Sequence, residues 1–220
     1  MLHMLHTVAI ALQTVLDAIL PRKERALRID QYVLEDIPVS PVEHEVLGVS
    51  ITTLLDYRTQ VVQDLIRALK YDRSGHAAQL LAGALAEYLR EEIANLKAFS
   101  TRPIVLVPIP LHASRLRERG FNQVEKVLEN LPQEFRGALS RVETHVLART
   151  RATPQQTRLS RAERLTNVRG AFELQFPFAA ENAHVILIDD VTTTGATLAE
   201  AAKPFKKAGL QVTLLALAHA

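Results

Sequence analysis

Cysteine is absent from the 220 residues, which excludes a disulfide framework, a thiolate zinc site, an iron–sulfur cluster and cysteine-based catalysis. The eight histidines do not easily replace those ligands: His3 and His6 stand three apart, but two nitrogens near a chain end make a poor metal site. Aromatics reach only 5%, and no helix-turn-helix or zinc finger is recognisable, which argues against sequence-specific or stacking-based readout of nucleic acid. The longest apolar stretch, Val8 to Leu20, is interrupted by Gln13 and Asp17. It is too short and too polar to insert in a membrane, and no basic segment precedes it, so a cytoplasmic location is expected. What remains, 48% apolar and 23% charged, describes a globular chain with one full core and a small appendage.

The formal net charge is only +2, but the charges are unevenly placed. Residues 1–60 hold 5 basic and 8 acidic groups (net −3), whereas residues 101–170 hold 13 basic and 6 acidic (net +7). Such a concentration suits a polyanion, either a phosphorylated small molecule or nucleic acid, and equally a solvated arginine-rich surface.

Apolar spacing predicts an opening amphipathic helix through Val8, Leu12, Val15, Leu16 and Ile19, stopped at Pro21. Residues 22–55 contain Pro38, Pro41 and Gly48 among short alternating runs, Leu27-Arg28-Ile29 and Val49-Ser50-Ile51, and read as a small strand-and-turn unit. A boundary near Asp56 divides this accessory unit, 1–55, from the body, 56–220. Helices follow at Gln60–Lys70 and His76–Phe99, a buried strand at Pro103–Pro108, a helix at Gly120–Leu131 and a short strand at His145–Ala148. Strands at His184–Ile188 and Val212–Ala218 flank a helical pattern, Gly195–Lys207, in which Pro204 requires either a kink or an end near Ala202. Alternating strands and helices predict an α/β fold with a largely parallel sheet.

The segment Val185–Thr197, VILIDDVTTTGAT, carries the chemistry. Four apolar residues form a strand covered on both faces, two carboxylates stand at its carboxyl end, and a Thr/Gly turn opens a helix. Ligands of open α/β sheets bind at that end. Thr192, Thr193, Thr194 and Thr197 offer hydroxyls, Gly195 allows close backbone approach, and the first amides of the helix are donors for an anion. Asp189 and Asp190 suit ribose hydroxyls, directly or through Mg²⁺. Asp and Thr also favour helix caps, so a bare pair would fit an ordinary loop; the full pattern fits a sugar phosphate.

This pattern resembles the phosphoribosyl pyrophosphate loop of the type I phosphoribosyltransferases. The resemblance implies that Asp189 and Asp190 hold the ribose hydroxyls and that Thr192, Thr193, Thr194, Gly195, Ala196 and Thr197 cradle the 5-phosphate. Together with LIRALKY at Leu65–Tyr71, VPIPLHASRLRERGFNQ at Val107–Gln123 and the arginine-rich run Leu147–Phe172, it resembles the ComF family of competence-associated phosphoribosyltransferase-like proteins. That likeness covers roughly residues 55–220 and places Pro110, Leu111, His112, Arg115 and Arg119 at the pyrophosphate end of the site. It makes Leu147–Phe172, with Arg158, Arg161 and Arg164, a mobile basic loop closing over it, Arg161 and Arg164 acting in catalysis.

Each of these residues also has a plainer reading. Arg115, Arg117 and Arg119 suit a solvated loop, His112 a hydrogen-bonded structural side chain, and Lys70 and Tyr71 a helix end. Many ComF-like chains carry a four-cysteine zinc unit after the first helix; here residues 22–55 must hold together without zinc. The expected activity is transfer of ribosyl phosphate from Mg²⁺-phosphoribosyl pyrophosphate to a nitrogenous acceptor. The other reading keeps the fold and discards catalysis: a phosphoribosyl pyrophosphate or nucleotide-binding protein acting with single-stranded DNA or a competence-machinery partner. Related folds often dimerise, so a homodimer is also considered.

Overall fold

The computed structural model describes residues 22–46, 48–151, 168–175 and 182–220. The first predicted helix and Arg158, Arg161 and Arg164 lie outside the described residues. Helix α1 spans Arg22–Ile29, followed by strands β1, Val42–Val46, and β2, Val49–Asp56. Helix α2, Gln60–Arg67, runs into a π turn, Ala68–Asp72, and then into the long helix α3, Gly75–Phe99. Strand β3, Ile104–Pro108, precedes α4, Ala113–Arg119, and α5, Gln123–Glu129. Short strands β4, Arg141–Val142, β5, Leu147–Arg149, and β6, Phe172–Leu174, lead to β7, His184–Thr192, α6, Ala196–Lys207, and β8, Gln211–His219.

Six strands make the main sheet in the order β1-β2-β8-β7-β3-β4. Every neighbouring pair is parallel except the β1–β2 hairpin. The three central strands need cover on both faces, and their side chains divide by alternation. Leu106, Ile186, Ile188, Leu215 and Leu217 pack with α2, α3 and α5. Val107, Val185, Leu187, Leu214 and Ala216 pack with α6 and with β5–β6 on the other face. The β5–β6 pair is a separate antiparallel ribbon, joined to α6 where Glu200 accepts the Gly170 amide at 2.7 Å.

Several local expectations change. Leu27-Arg28-Ile29 lies in α1, because RKERALRI consists of helix formers with a single β-branched residue at its end. Arg25 and Arg28 of that helix grip Asp72 and Asp64 at 2.6–3.1 Å. The strand near His145 belongs to the ribbon, outside the main sheet. Arg115, Arg117 and Arg119 do not lie in a loop: they occupy α4, capped by His112 and closed by Gly120 at φ +84°. Helix α6 continues through Pro204 to Lys207, which excludes an end near Ala202; Phe205, fully buried, anchors the last turn against the cost of the lost hydrogen bond. The β2 strand pairs with β8 from Thr52 to Asp56, so residues assigned to the accessory unit share a sheet with the body.

Candidate active site

All the predicted site residues that the structure describes gather at the carboxyl ends of β3 and β7, where parallel strands deliver their loops to one edge. Strand β7 remains paired with β8 as far as Thr192, so Asp189 and Asp190 are fixed by the sheet itself. Alternation then sends them to opposite faces: Asp190 follows Ile186 and Ile188, Asp189 follows Val185 and Leu187. Asp189 Oδ1 accepts the Asp190 amide at 2.8 Å, and Asp190 Oδ1 accepts the Val191 amide at 2.6 Å.

The turn that follows is built tightly. Thr192 Oγ1 accepts the Gly195 amide at 3.1 Å, and Gly195 adopts φ +66° as the residue before α6. A Cβ at Gly195 would stand 2.4 Å from Ile51 Cδ1 and 3.3 Å from Val46, so the β1–β2 hairpin presses directly on the loop. Thr192 and Thr194 are buried, Thr193 is exposed and Thr197 half-buried. The amide of Ala220 donates to the Thr192 carbonyl at 2.9 Å, and the His219 ring stacks on His44 with centroids 4.4 Å apart. Burial and then His44 hold the His219 pKa below its ordinary value. The first amides of α6, including Ala196 and Thr197, precede any intrahelical bond and form a donor set for an anion.

On the β3 side, buried Asn122 fixes the next loop by donating to the Ile109 carbonyl at 2.9 Å and accepting the Val124 amide at 3.0 Å. Pro110 and Leu111, half-buried, lead to α4. His112 Nδ1 accepts the Ser114 amide at 3.2 Å, so His112 serves as a cap. Arg119 donates to Gln123 Oε1 at 2.7 Å, and Arg117 is exposed. Arg115 turns inward: burial first, then Arg119, lowers its pKa, while Asp190 acts in the opposite sense.

Two cations complete the site: Lys70, which the sequence reads as a helix-end residue, and Arg149, the first arginine of the predicted basic loop. Lys70 Nζ lies 3.0 Å from Asp190 Oδ2. Burial disfavours its charge, but Asp190, with Tyr57 and Asp189, more than compensates and leaves its pKa raised. Arg149, over the Phe172 ring at 5.4 Å, faces Asp189 from the ribbon; burial and then Arg115 lower its pKa. Asp189 is pushed up to about 7, chiefly by burial and then by Asp190. Among the described residues no three metal-ligating side chains converge. Two carboxylates without a third do not cage an ion, but fit Mg²⁺ that arrives on phosphate oxygens and keeps most of its shell from substrate and water. A cavity of about 530 Å³ lined by Phe99, Arg102, His184 and Gln211 lies at the opposite edge, at the start of β7 and β8, away from these groups.

No protein-family model matches the chain. Among curated proteins, the DNA utilization protein YhgH of Salmonella typhi and that of Escherichia coli K12 are each 32% identical over 155 residues, 70% of this chain and 64% of theirs. The competence protein ComFC of Streptococcus pneumoniae is 31% identical over 170 residues, 75% of this chain and 66% of the relative. The chain thus spans a little under two thirds of the first relatives it matches. Among solved structures, yeast adenine phosphoribosyltransferase overlaps 85% of this chain and 88% of its own at 12% identity and a TM-score of 0.38. A Staphylococcus aureus hypoxanthine phosphoribosyltransferase overlaps 66% and 65% at 13% identity and a TM-score of 0.34. Overlaps at these scores carry no weight here beside the sequence relatives. With its six-stranded, mostly parallel sheet and competence-named relatives, the chain belongs to the ComF family of phosphoribosyltransferase-like proteins.

Proposed function

We propose that the chain binds Mg²⁺-phosphoribosyl pyrophosphate and transfers its ribosyl phosphate to a nitrogen nucleophile with release of pyrophosphate. The observation that carries this reading is the order of groups along one edge. Paired carboxylates, a Thr/Gly turn and a helix N-terminus succeed one another without a gap from Asp189 to Thr197, and Arg115 and Arg149 face the carboxylates.

The division of labour follows from chemistry. Carboxylates accept hydrogen bonds from the vicinal ribose hydroxyls, and the amides of residues 196–197 with the Thr hydroxyls receive the 5-phosphate, Gly195 serving through its close backbone turn. The C1–oxygen bond breaks with its electron pair leaving on pyrophosphate, the acceptor nitrogen forms the new bond to C1, and the nitrogen's proton is released. Positive charge builds on the ribose while negative charge builds on the leaving group. Arg115 and, through its helix, Arg119 therefore stabilise what grows in the transition state. Bound Mg²⁺ would add Lewis-acid neutralisation of the pyrophosphate oxygens.

Isothermal titration of Mg²⁺-phosphoribosyl pyrophosphate tests the site. Saturable binding by the wild type is expected, with Asp189→Asn/Asp190→Asn at least roughly tenfold weaker, since each lost charged hydrogen bond is worth about 1.5–3 kcal/mol. Unchanged affinity removes both acids from the site. Screening nitrogenous bases for pyrophosphate release then tests catalysis. A second reading is favoured by the relatives' names, DNA utilization and competence: the +7 block tracks nucleic-acid phosphates. Its test is the salt dependence of single-stranded DNA binding, whose steepness counts the phosphates neutralised.

A further inference from the structure

Buried lysines are costly, and a buried ion pair is in general no more stabilising than an apolar pair of the same size. Lys70 nevertheless lies with Asp190, the two side chains 20% and 16% exposed and 3.0 Å apart. Asp190 is thereby held at both oxygens: Oδ1 by the Val191 amide at 2.6 Å, Oδ2 by the ammonium. A carboxylate has about four acceptor positions, so this clamp leaves lone pairs for a ligand while fixing where they point.

The segment that supplies Lys70 is itself unusual. The Ala68 carbonyl accepts from both the Arg73 and the Ser74 amides, a π turn with Arg73 in the left-handed region at φ +54°. One extra residue in a helical turn re-aims the side chains that follow, and such turns concentrate at functional sites. The C-terminal end of this one is anchored twice. Asp72 receives Arg25 Nε at 2.9 Å and Nη2 at 2.6 Å, while Arg73 donates to the Arg119 carbonyl at 3.0 Å and lies over Phe121. The lysine is thus placed against one of the two acids by contacts from α1 and from the end of α4 with the residue Phe121 beyond it.

We propose that Lys70 is a positioning residue that keeps Asp190 aimed at the ribose hydroxyls of the sugar phosphate, acting through the carboxylate rather than on the pyrophosphate. This deepens the phosphoribosyl pyrophosphate reading and rests on it. The pKa of Lys70 is raised because Asp190 outweighs the penalty of burial. The leaving-group side already has Arg115, with Arg119 beside it.

A double-mutant cycle with three probes decides the matter. Wild type, Lys70→Met, Lys70→Gln, Asp190→Asn and the Lys70→Met/Asp190→Asn pair are titrated with Mg²⁺-phosphoribosyl pyrophosphate, ribose 5-phosphate and inorganic pyrophosphate. The expected result is a loss of roughly tenfold or more for the two ribose ligands in Lys70→Met, and no change for pyrophosphate. The double variant is expected to bind no more weakly than Asp190→Asn alone, since the two residues act as one unit. Lys70→Arg should recover part of the loss. Lys70→Gln, nearer in polarity, gives the same comparison should the methionine variant not fold. Unchanged ribose-ligand affinity, additive losses in the double variant, or equal weakening toward pyrophosphate would overturn the assignment, the last by making Lys70 a direct ligand. A wild type that binds none of the three probes overturns the site reading itself, and the Lys70 role with it. A wild type that binds but shows no coupling overturns the Lys70 role alone.

Discussion

At the scale of single residues, Gly195 is the most constrained position of the loop. Its φ of +66° would cost an alanine about 1–2 kcal/mol. The added methyl would also meet Ile51 Cδ1 at 2.4 Å, so the hairpin or the loop must yield. Gly195→Ala should therefore lower the melting temperature by roughly 2–8 °C and weaken ribose 5-phosphate binding together. Thermal denaturation and calorimetry check both, and an unshifted melting temperature would show that the hairpin does not press on the loop. The roles of Asp189, Asp190 and Gly195 are readable from their neighbours in the chain, because strand, acids, turn and helix are contiguous. Lys70 and Arg149 are not readable in that way. A lysine ending an amphipathic helix and an arginine opening a basic run look like solvated charge, and only a π turn and a separate ribbon turn them inward.

At the scale of elements, α1 shows how a short polar helix is held to the body. Its Arg28 donates to Asp64 of α2 at 2.9 and 3.1 Å, and Tyr32 and Gln60 each add a bond at 3.1 Å. Burial on its own would raise the Asp64 pKa, but hydrogen bonds from Arg28 and Gln60, then Arg28's charge and Tyr32, bring it below the ordinary value. A carboxylate whose pKa is lower folded than unfolded contributes stability above the unfolded value, and loses it as pH falls through the folded one. Asp64→Asn should accordingly reduce stability at pH 7 by on the order of 2 kcal/mol. The deficit should close below about pH 4, where the wild-type carboxylate is also being protonated. Urea unfolding at the two pH values measures this; an equal deficit at both would assign the loss to packing. Sequence periodicity found α2, α3, α5 and α6, yet it took Leu27-Arg28-Ile29 for strand, since a two-residue alternation in a three-residue window does not distinguish the two periods.

At the scale of the whole molecule, one strand supports two cores. Ile186 packs toward α2, α3 and α5, and its neighbour Leu187 toward α6. Ile186→Ala and Leu187→Ala should each cost about 2–5 kcal/mol despite facing opposite sides. Each should leave a single cooperative unfolding transition, because β7 ties both layers together. Two separated transitions in either variant would show that the faces fold independently. No helix among the described residues is long and apolar enough to cross a membrane.

The sequence by itself determined the parts that are local: a cysteine-free chain without thiolate chemistry, a buried strand ending in Asp189-Asp190, and a Thr/Gly turn entering a helix. The sequence pattern ends that strand at Ile188; pairing with β8 carries it on to Thr192 and so turns the two acids to opposite faces. The tertiary structure decided what each acid meets. Which helix covers the Ile186 face, and which ribbon covers the Leu187 face, is set by sheet order and crossover, so the pairing of Asp190 with Lys70 and the approach of Arg149 to Asp189 arise only when distant segments pack.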